Sequence, residues 1–167
     1  MELKDNIILN HNEIQHKIRR IAFQIYETNV DETEVIIAGI VGNGYVLAEK
    51  LKSVLDKISD ITPILCEVTI DKKNPLAPIL TSIPEVNYTN KSVVLVDDVL
   101  NSGTTLIYGV KHFLQVPLKK FKTAILVNRN HKKYPVKADF KGISLSTSLH
   151  EHVEVNLTGK THSVVLE

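Results

Sequence analysis

The sequence predicts an α/β domain in which helices flank a central parallel sheet and the carboxyl-terminal part of the chain forms a small hood. Apolar, β-branched runs without polar alternation occur at residues 35–41 and 92–96, which is typical of strands buried on both faces of a parallel sheet. Another apolar strand is predicted at residues 121–127. Helical periodicity follows the first two runs, so strands and helices alternate along the chain. After residue 128 the pattern changes to short strands between polar turns. These short strands predict the hood.

The amino-terminal third is expected to form a helix, a strand and a second helix. Asn10 and Glu13 make a variant capping box, and apolar residues at helical spacing carry the first helix to about Tyr26. The strand over residues 35–41 runs into Gly42-Asn43-Gly44, and the second helix follows. The inward-facing residues of the two helices are predicted to be Ile14, Ile18, Ile21, Ile25, Leu47, Leu51, Val54, Leu55 and Ile58.

The middle of the chain contains a strand followed by a long irregular segment. Apolar residues alternate from Ile64 to Ile70, which predicts a strand with one better-buried face. Residues 71–90 then contain three prolines and no clear period. A mobile lid over a binding site and a passive insertion both fit that composition.

The stretch VVLVDDVLNSGTT, residues 93–105, predicts a site for a phosphorylated sugar. Asp97 and Asp98 stand at the carboxyl edge of a buried strand, where ligands of parallel sheets bind, and they point to opposite sides of the strand. The turn that follows is rich in small and hydroxyl residues, and a helix begins after it, so backbone N–H groups can hold a phosphate. An ordinary strand-turn-helix with a solvated acid pair is the alternative interpretation.

The tail is expected to supply one more buried strand and then the hood. The strand over residues 121–127 ends in Asn128-Arg129-Asn130-His131, and short strands are predicted at residues 138–145, 153–157 and 163–166. Residues from about 129 to 167 are therefore assigned to the hood and terminal strands. The whole chain, residues 1–167, is interpreted as a single domain.

Length and composition fit one globular domain, because 43% of the 167 residues are hydrophobic and 23% are charged. The single cysteine, Cys66, excludes an intramolecular disulfide and agrees with a reducing compartment. The amino-terminal segment MELKDNIILN has charges on both sides of a very short apolar run, and no segment approaches the ~18 apolar residues of a membrane span. These features predict a cytoplasmic protein without a membrane partner.

Charge is distributed unevenly, although the net charge is only +1. Residues 101–141 hold nine Lys or Arg and one acidic residue, Asp139, so this segment carries +8 and the remainder −7. A basic segment can attract RNA or phosphate-rich ligands, or match an acidic face of another subunit. RNA therefore stays open as a partner, although no aromatic-interleaved basic motif supports it. A homodimer or higher homo-oligomer is expected.

Two motifs resemble a known family. VVLVDDVLNSGTT resembles the phosphoribosyl diphosphate (PRPP) motif of type I phosphoribosyltransferases, and residues 126–142 resemble the VNRGHRELPIRADYVGK segment of the PyrR proteins. PyrR proteins are pyrimidine-operon attenuation regulators that also have uracil phosphoribosyltransferase activity. The resemblance covers nearly the whole chain. It implies a Rossmann-like sheet of the type I phosphoribosyltransferase fold and a Mg²⁺-PRPP-dependent transfer of ribose phosphate to a nucleobase, with uracil first.

The resemblance also implies a role for each part of the site. Asp97 and Asp98 are expected to act in catalysis, to hold the ribose hydroxyls and to bind the metal. The residues expected to hold the 5′-phosphate are Asn101, Ser102, Gly103, Thr104 and Thr105. The residues expected to hold the diphosphate are Val41, Gly42, Asn43 and Gly44, and those expected to hold the base are Asn128, Arg129, Phe140, Lys141 and Ile143.

Three departures from the family pattern cluster at the diphosphate end, and two of them remove a cation. Thr104 replaces an arginine, the loop over residues 41–44 has no cation, and Asp71-Lys72-Lys73-Asn74 stands where Tyr-Arg-Asp-Asp is expected. Lys72, Lys73 or Mg²⁺ would have to supply the missing charge. An RNA-binding pyrimidine regulator, or a PRPP or nucleotide sensor with reduced catalysis, is therefore an alternative. Hypoxanthine or guanine transfer is a second alternative, but Asn101 disfavours it because an amide cannot act as a general acid or base.

Overall fold

The structure is a computed structural model that describes residues 6–167. Residues 1–5 of the charged amino-terminal segment considered above lie outside the described residues. Three α-helices and nine strands make up the described chain. In order they are β1 Ile7–Leu9, α1 His11–Thr28, β2 Glu34–Ile40, α2 Asn43–Ile58, β3 Thr62–Thr69, β4 Leu80–Thr81, β5 Ser92–Leu100, α3 Thr104–Phe113, β6 Lys120–Arg129, β7 Phe140–Leu145, β8 Val153–Asn156 and β9 Ser163–Leu166.

The central sheet has six strands in the order β4-β3-β2-β5-β6-β7, and all its neighbours are parallel except β3 and β4. Strand β5 lies between β2 and β6, in the interior of the sheet. Alternate residues of β5 are buried on opposite faces of the sheet. Val94 and Val96 pack with α1 and α2 on one face, whereas Val93 and Leu95 pack with α3 on the other. The predicted fold class, an α/β domain with a parallel sheet between helices, is confirmed.

Helix α1 begins at the predicted capping box. Asn10 Oδ1 accepts a hydrogen bond from the Glu13 N–H at 2.9 Å, and Glu13 Oε1 accepts one from the Asn10 N–H at 3.1 Å. These two bonds satisfy donors that a helix start leaves without intrahelical partners. The helix buries Ile14, Ile18, Ile21 and Ile25, as their spacing predicted.

The hood is built from a different set of strands than the sequence predicted. A separate antiparallel sheet has the order β1-β9-β8, so the amino-terminal strand joins the two terminal strands. Strand β7 lies instead at the edge of the central sheet, parallel to β6, because Phe140 is an apolar residue that packs into the main core. Val153, Val155 and Val164 of the hood pack against this same core. The hood is therefore fixed against the α1 and α2 side of the sheet.

The segment predicted as a lid is partly built into the fold. It contains β4 and a short 3₁₀ turn at Glu85–Asn87. Tyr88 is buried against Phe113 of α3, with 4.9 Å between ring centroids. The end of the segment is thus anchored, and lid motion of the remainder stays a prediction. No helix within residues 6–167 combines the length and the apolar character that crossing a membrane requires.

Candidate active site

A cleft of about 400 Å³ opens at the carboxyl end of β5. One wall is the end of β5 with the turn into α3, and the opposite wall is strand β8 of the hood. Helix α2 and the start of the predicted lid complete it. The lining residues are Asn43, Lys72, Asp97, Asp98, Val99, Leu100, Asn101, Ser102, Gly103, Thr104, Thr105, Leu106, His152, Val153, Glu154 and Val155.

The two carboxylates of the motif lie in different environments. Asp97 is only 4% exposed, whereas Asp98 is half-buried. Backbone donors orient both side chains: Asp97 Oδ1 accepts from the Asp98 N–H at 2.9 Å, and Asp98 Oδ1 accepts from the Val99 N–H at 2.8 Å. Burial, and then the negative charge of Asp98, raise the pKa of Asp97 well above its usual range, while the positive charge of Lys72 opposes this rise. The pair therefore places two carboxyl groups side by side, an arrangement suited to a cation, which would favour their charged forms, or to hydroxyl donors.

The turn before α3 has the geometry expected of a phosphate site. Gly103 has a φ of 87°, a conformation that glycine adopts without steric cost, and α3 begins at the next residue. Ser102 Oγ lies 2.9 Å from Thr104 Oγ1 and accepts from the Thr104 N–H at 3.3 Å. The Lys133 N–H donates to the Ser102 carbonyl at 2.7 Å, so the segment after β6 holds the turn in place. The five predicted phosphate residues, 101–105, all line the cleft.

The start of α2 lies beside the acid pair, because Gly44 allows the helix to approach β5 closely there. A Cβ on Gly44 would lie 2.9 Å from Asp97 Oδ1 and 2.9 Å from the Val96 carbonyl oxygen, so only glycine lets α2 come this near to β5. Asn43 Nδ2 donates to Asp98 Oδ2 at 3.2 Å and to the Val155 carbonyl at 2.9 Å, which joins the acid pair to the hood. Of the predicted diphosphate residues, Asn43 lines the cleft, whereas Val41, Gly42 and Gly44 do not.

The predicted base-binding residues do not line the cleft. Phe140 is buried in the main core and Ile143 packs against it. Lys141 is exposed, and Asn128 Nδ2 donates to Ser144 Oγ at 3.3 Å. Arg129 is 7% exposed and makes hydrogen bonds within the protein. Their role toward a base remains a prediction.

Sequence reasoning missed two polar residues of the cleft. His152 and Glu154 line the hood wall, more than fifty residues beyond the acid pair. His152 directly precedes β8, and Glu154 lies within it between two buried valines, a pattern that shows which residues face away from the core but not what they face. Lys72, named as one replacement for the missing cations, does line the cleft, whereas Lys73 does not.

Comparison with known proteins places this chain in a family. A family model described as "Phosphoribosyl transferase domain" matches residues 5–158. A protein of Fusobacterium nucleatum subsp. nucleatum named "Bifunctional protein PyrR" is 35% identical, over 99% of this chain and 100% of its own length. Proteins of the same name from Staphylococcus saprophyticus (31% identical, 99% of this chain, 100% of the relative) and Alkaliphilus metalliredigens (32%, 98% and 96%) are also similar.

Solved structures show the same fold at lower identity. The hypoxanthine phosphoribosyltransferase of Trypanosoma cruzi has a TM-score of 0.79 at 14% identity, covering 96% of this chain and 95% of that one. A hypoxanthine-guanine phosphoribosyltransferase from Bacillus anthracis has a TM-score of 0.69 at 20% identity, covering 84% and 82%. At these identities the likeness concerns the fold alone. The motif, the cleft and the full-length relatives together show that the chain belongs to the phosphoribosyltransferase family and, within it, to the PyrR proteins.

Proposed function

We propose that this protein transfers ribose 5-phosphate from Mg²⁺-PRPP to a nucleobase, with uracil as the base. The observation that carries the proposal is that the acid pair, Asp97 and Asp98, and the turn over residues 101–105 open into one cleft. PRPP requires both features, because it has ribose hydroxyls that need acceptors and a 5′-phosphate that needs donors. The resemblance to the PRPP motif assigns the same two parts to the same two ligand groups.

The chain's own residues would act mainly by positioning and by electrostatics. The carboxylates would hold the ribose hydroxyls while the bond to diphosphate loosens, and the turn would fix the 5′-phosphate. No nucleophilic side chain is required, because the base nitrogen itself attacks the sugar carbon. Orientation of the two reactants and stabilisation of developing charge would supply the rate enhancement.

Magnesium fits the donor set of the cleft. Asp97 and Asp98 would hold it, since Mg²⁺ is commonly bound by one or two carboxylates together with substrate oxygens and water. Among residues 6–167 no group of three or more His, Cys, Asp or Glu side chains is arranged to hold a metal ion, so PRPP and water would complete the coordination. When bound, the ion would neutralise charge on the diphosphate leaving group.

Lys72 is the residue that we assign to the diphosphate. It lines the cleft, and its charge acts on Asp97. Because Thr104 and the loop over residues 41–44 bring no cation, a lysine at the start of the predicted lid would meet the negative charge that develops on the leaving group.

Uracil is favoured over purines on two grounds. The relatives of highest similarity described above share the name PyrR, a family with uracil phosphoribosyltransferase activity. In addition, Asn101 lines the cleft with its Oδ1 accepting from Arg129 Nη1 at 2.9 Å, so this position offers an amide held by a partner rather than a carboxyl group that could exchange a proton.

RNA-binding regulation is the second candidate function, and the word "bifunctional" in the relatives' name supports it. The basic segment 101–141 gives it limited support. Arg129 is buried, Lys119 and Lys120 pair with Glu32, and Lys137 pairs with Asp139. Fewer than nine cations are therefore free to meet phosphates.

The test is a screen of uracil, hypoxanthine, guanine, xanthine and adenine with Mg²⁺-PRPP, following both diphosphate release and the nucleotide product. We expect uridine 5′-monophosphate (UMP) from uracil and little product from the purines. Product from a purine alone would overturn the choice of base. PRPP binding without product from any base would favour the sensor, and tight binding of pyrimidine-leader RNA, compared with a scrambled strand, would favour the regulator.

A further inference from the structure

Arg129 ends strand β6 and is buried in a polar network that joins the two walls of the cleft. Its side chain is 7% exposed. Nη1 donates to Asn101 Oδ1 at 2.9 Å. Nε and Nη2 donate to Thr147 Oγ1 at 3.0 and 2.8 Å, and Nη2 also reaches the carbonyls of Ser148 at 3.4 Å and Glu151 at 2.7 Å.

The acceptors belong to two segments that lie far apart in sequence. Asn101 is the first residue of the turn over residues 101–105, called the phosphate turn below. Glu151 directly precedes His152, the first residue on the hood side that lines the cleft. One guanidinium group therefore contacts both sides of the cleft. All the acceptors of Arg129 are neutral, and no carboxylate of residues 6–167 forms an ion pair with it. A salt bridge therefore does not account for the burial of its positive charge.

The segment over residues 146–151 has few other attachments. Ser146, Ser148, Leu149 and His150 are all exposed, and Leu149 keeps 80% of its accessible surface. Little apolar burial therefore fixes the segment. Its other contacts to the residues that follow β6 are polar: the Thr147 N–H donates to Asn130 Oδ1 at 3.2 Å, and Thr147 Oγ1 lies 3.3 Å from His131 Nε2.

The phosphate turn has independent support. The Ser102 carbonyl accepts from the Lys133 and Tyr134 N–H groups at 2.7 and 3.3 Å, and Ser102 and Thr104 bond to each other. Loss of Arg129 should therefore loosen the hood side of the cleft more than the turn.

We infer that Arg129 is a positioning residue that holds residues 146–151, the segment that leads into the hood wall, at a fixed distance from the phosphate turn, so that a nucleotide can contact both sides of the cleft at once. This inference rests on the proposed function for the identity of the nucleotide. The planar fork of arginine suits the task, because Nε and the two Nη atoms donate in fixed, divergent directions, which a lysine ammonium group cannot reproduce. Arg129 would thus act on the base side of the cleft without touching the base.

The experiment compares Arg129→Met, Arg129→Lys and Thr147→Val with the wild type, and uses Arg19→Met as a control. Arg19 is an exposed arginine whose guanidinium lies over Phe23, 5.1 Å from the ring centroid. Calorimetry measures binding of UMP, which under the proposed function would contact both sides of the cleft, and of ribose 5-phosphate, which lacks the base and would contact only the turn and the acid pair. Hydrogen exchange measures opening of residues 146–152.

We expect Arg129→Met and Arg129→Lys to weaken UMP binding about tenfold or more, to weaken ribose 5-phosphate binding less than threefold, and to accelerate exchange over residues 146–152. Thr147→Val should act in the same direction in the wild type but add nothing in the Arg129→Met background, because the two residues act through one contact. Arg19→Met should change none of these quantities.

Three results would overturn the inference: equal losses for UMP and ribose 5-phosphate, full recovery by lysine, or unchanged exchange over residues 146–152. If Arg129→Met does not fold, Thr147→Val decides by the same exchange measurement, because it removes one hydroxyl group and keeps the shape of the side chain. If the wild type forms no product with any base, the proposed function fails, but the exchange and ribose 5-phosphate measurements still test the link between the walls.

Discussion

Replacing Asp97 by asparagine should make the protein more stable and, at the same time, a weaker binder of PRPP. Asp97 is buried beside a second carboxylate, and burial is the main reason that its pKa is raised. Asparagine removes the charge and keeps the shape. Its Oδ1 can still accept from the Asp98 N–H, the bond that Asp97 Oδ1 accepts at 2.9 Å, and its amide can donate to the neighbouring carboxylate of Asp98.

The magnitudes follow from these two opposite effects. Burying a charge costs several kcal/mol, and Lys72 and the Asp98 N–H offset only part of that cost. A net gain of about 1–3 kcal/mol is therefore expected once the new amide is accommodated, and each kcal/mol raises Tm by about 2–4 °C in a domain of this size. In PRPP binding, a hydrogen bond to a charged group is worth about 1.5–3 kcal/mol. Its loss should weaken binding about ten- to hundred-fold.

Thermal unfolding in EDTA without PRPP measures the first effect, and calorimetric titration with Mg²⁺-PRPP measures the second. Asp98→Asn is the matched control: it removes the same charge from a half-buried position, so it should weaken PRPP binding while raising Tm less. A lower Tm for Asp97→Asn would refute the argument from burial. Unchanged PRPP affinity in both variants would refute the assignment of the acid pair to the ribose.

Three further predictions test other parts of the account. Gly44→Ala should destabilise the fold by about 1–3 kcal/mol and weaken PRPP binding, because its Cβ would meet backbone and carboxylate atoms. Gly109→Ala is the control: its Cβ would meet mainly the methyl groups of a leucine, so PRPP binding should be unchanged. Equal PRPP binding by the two variants would contradict the idea that the site needs α2 close to β5 at Gly44. Lys72→Met should lower the rate of diphosphate release about tenfold or more while Lys73→Met leaves it within about twofold, and similar rates in both would remove Lys72 from the site. The pKa of His162 is lowered, first by burial, so its contribution to stability is present above about pH 6.5 and lost as the pH falls towards the lower folded pKa. The unfolding free energy should therefore fall between about pH 7 and pH 5, more steeply in the wild type than in His162→Gln, and identical slopes would show that His162 is not the group responsible.

Much of the fold could be predicted because its signals are local. The capping box at Asn10 and Glu13 and the unbroken apolar run that became β5 each lie within one short stretch of sequence. The same holds for the turn at Gly103, where a glycine, two hydroxyl residues and a helix start are adjacent. These signals identified the strand, the turn and the acid pair that line the cleft.

The parts that could not be predicted depend on partners far away in the chain. Strand β1 has only three residues, and its place in the hood is set by β9 at the other end of the sequence. Arg129 follows the end of the predicted strand, and the resemblance implied that it holds the base, but its acceptors come from segments 28 and 18–22 residues away. His152 and Glu154 reach the cleft because the hood packs across it, and the alternation of β8 alone does not show what those side chains face.

The most direct test of the central assignment is a crystal structure of the protein with UMP bound. The account predicts the 5′-phosphate at the N–H groups of residues 102–105, the ribose hydroxyls at Asp97 and Asp98, and the base on the side of the hood wall at His152. A phosphate bound elsewhere, or a ribose turned away from both carboxylates, would contradict the account.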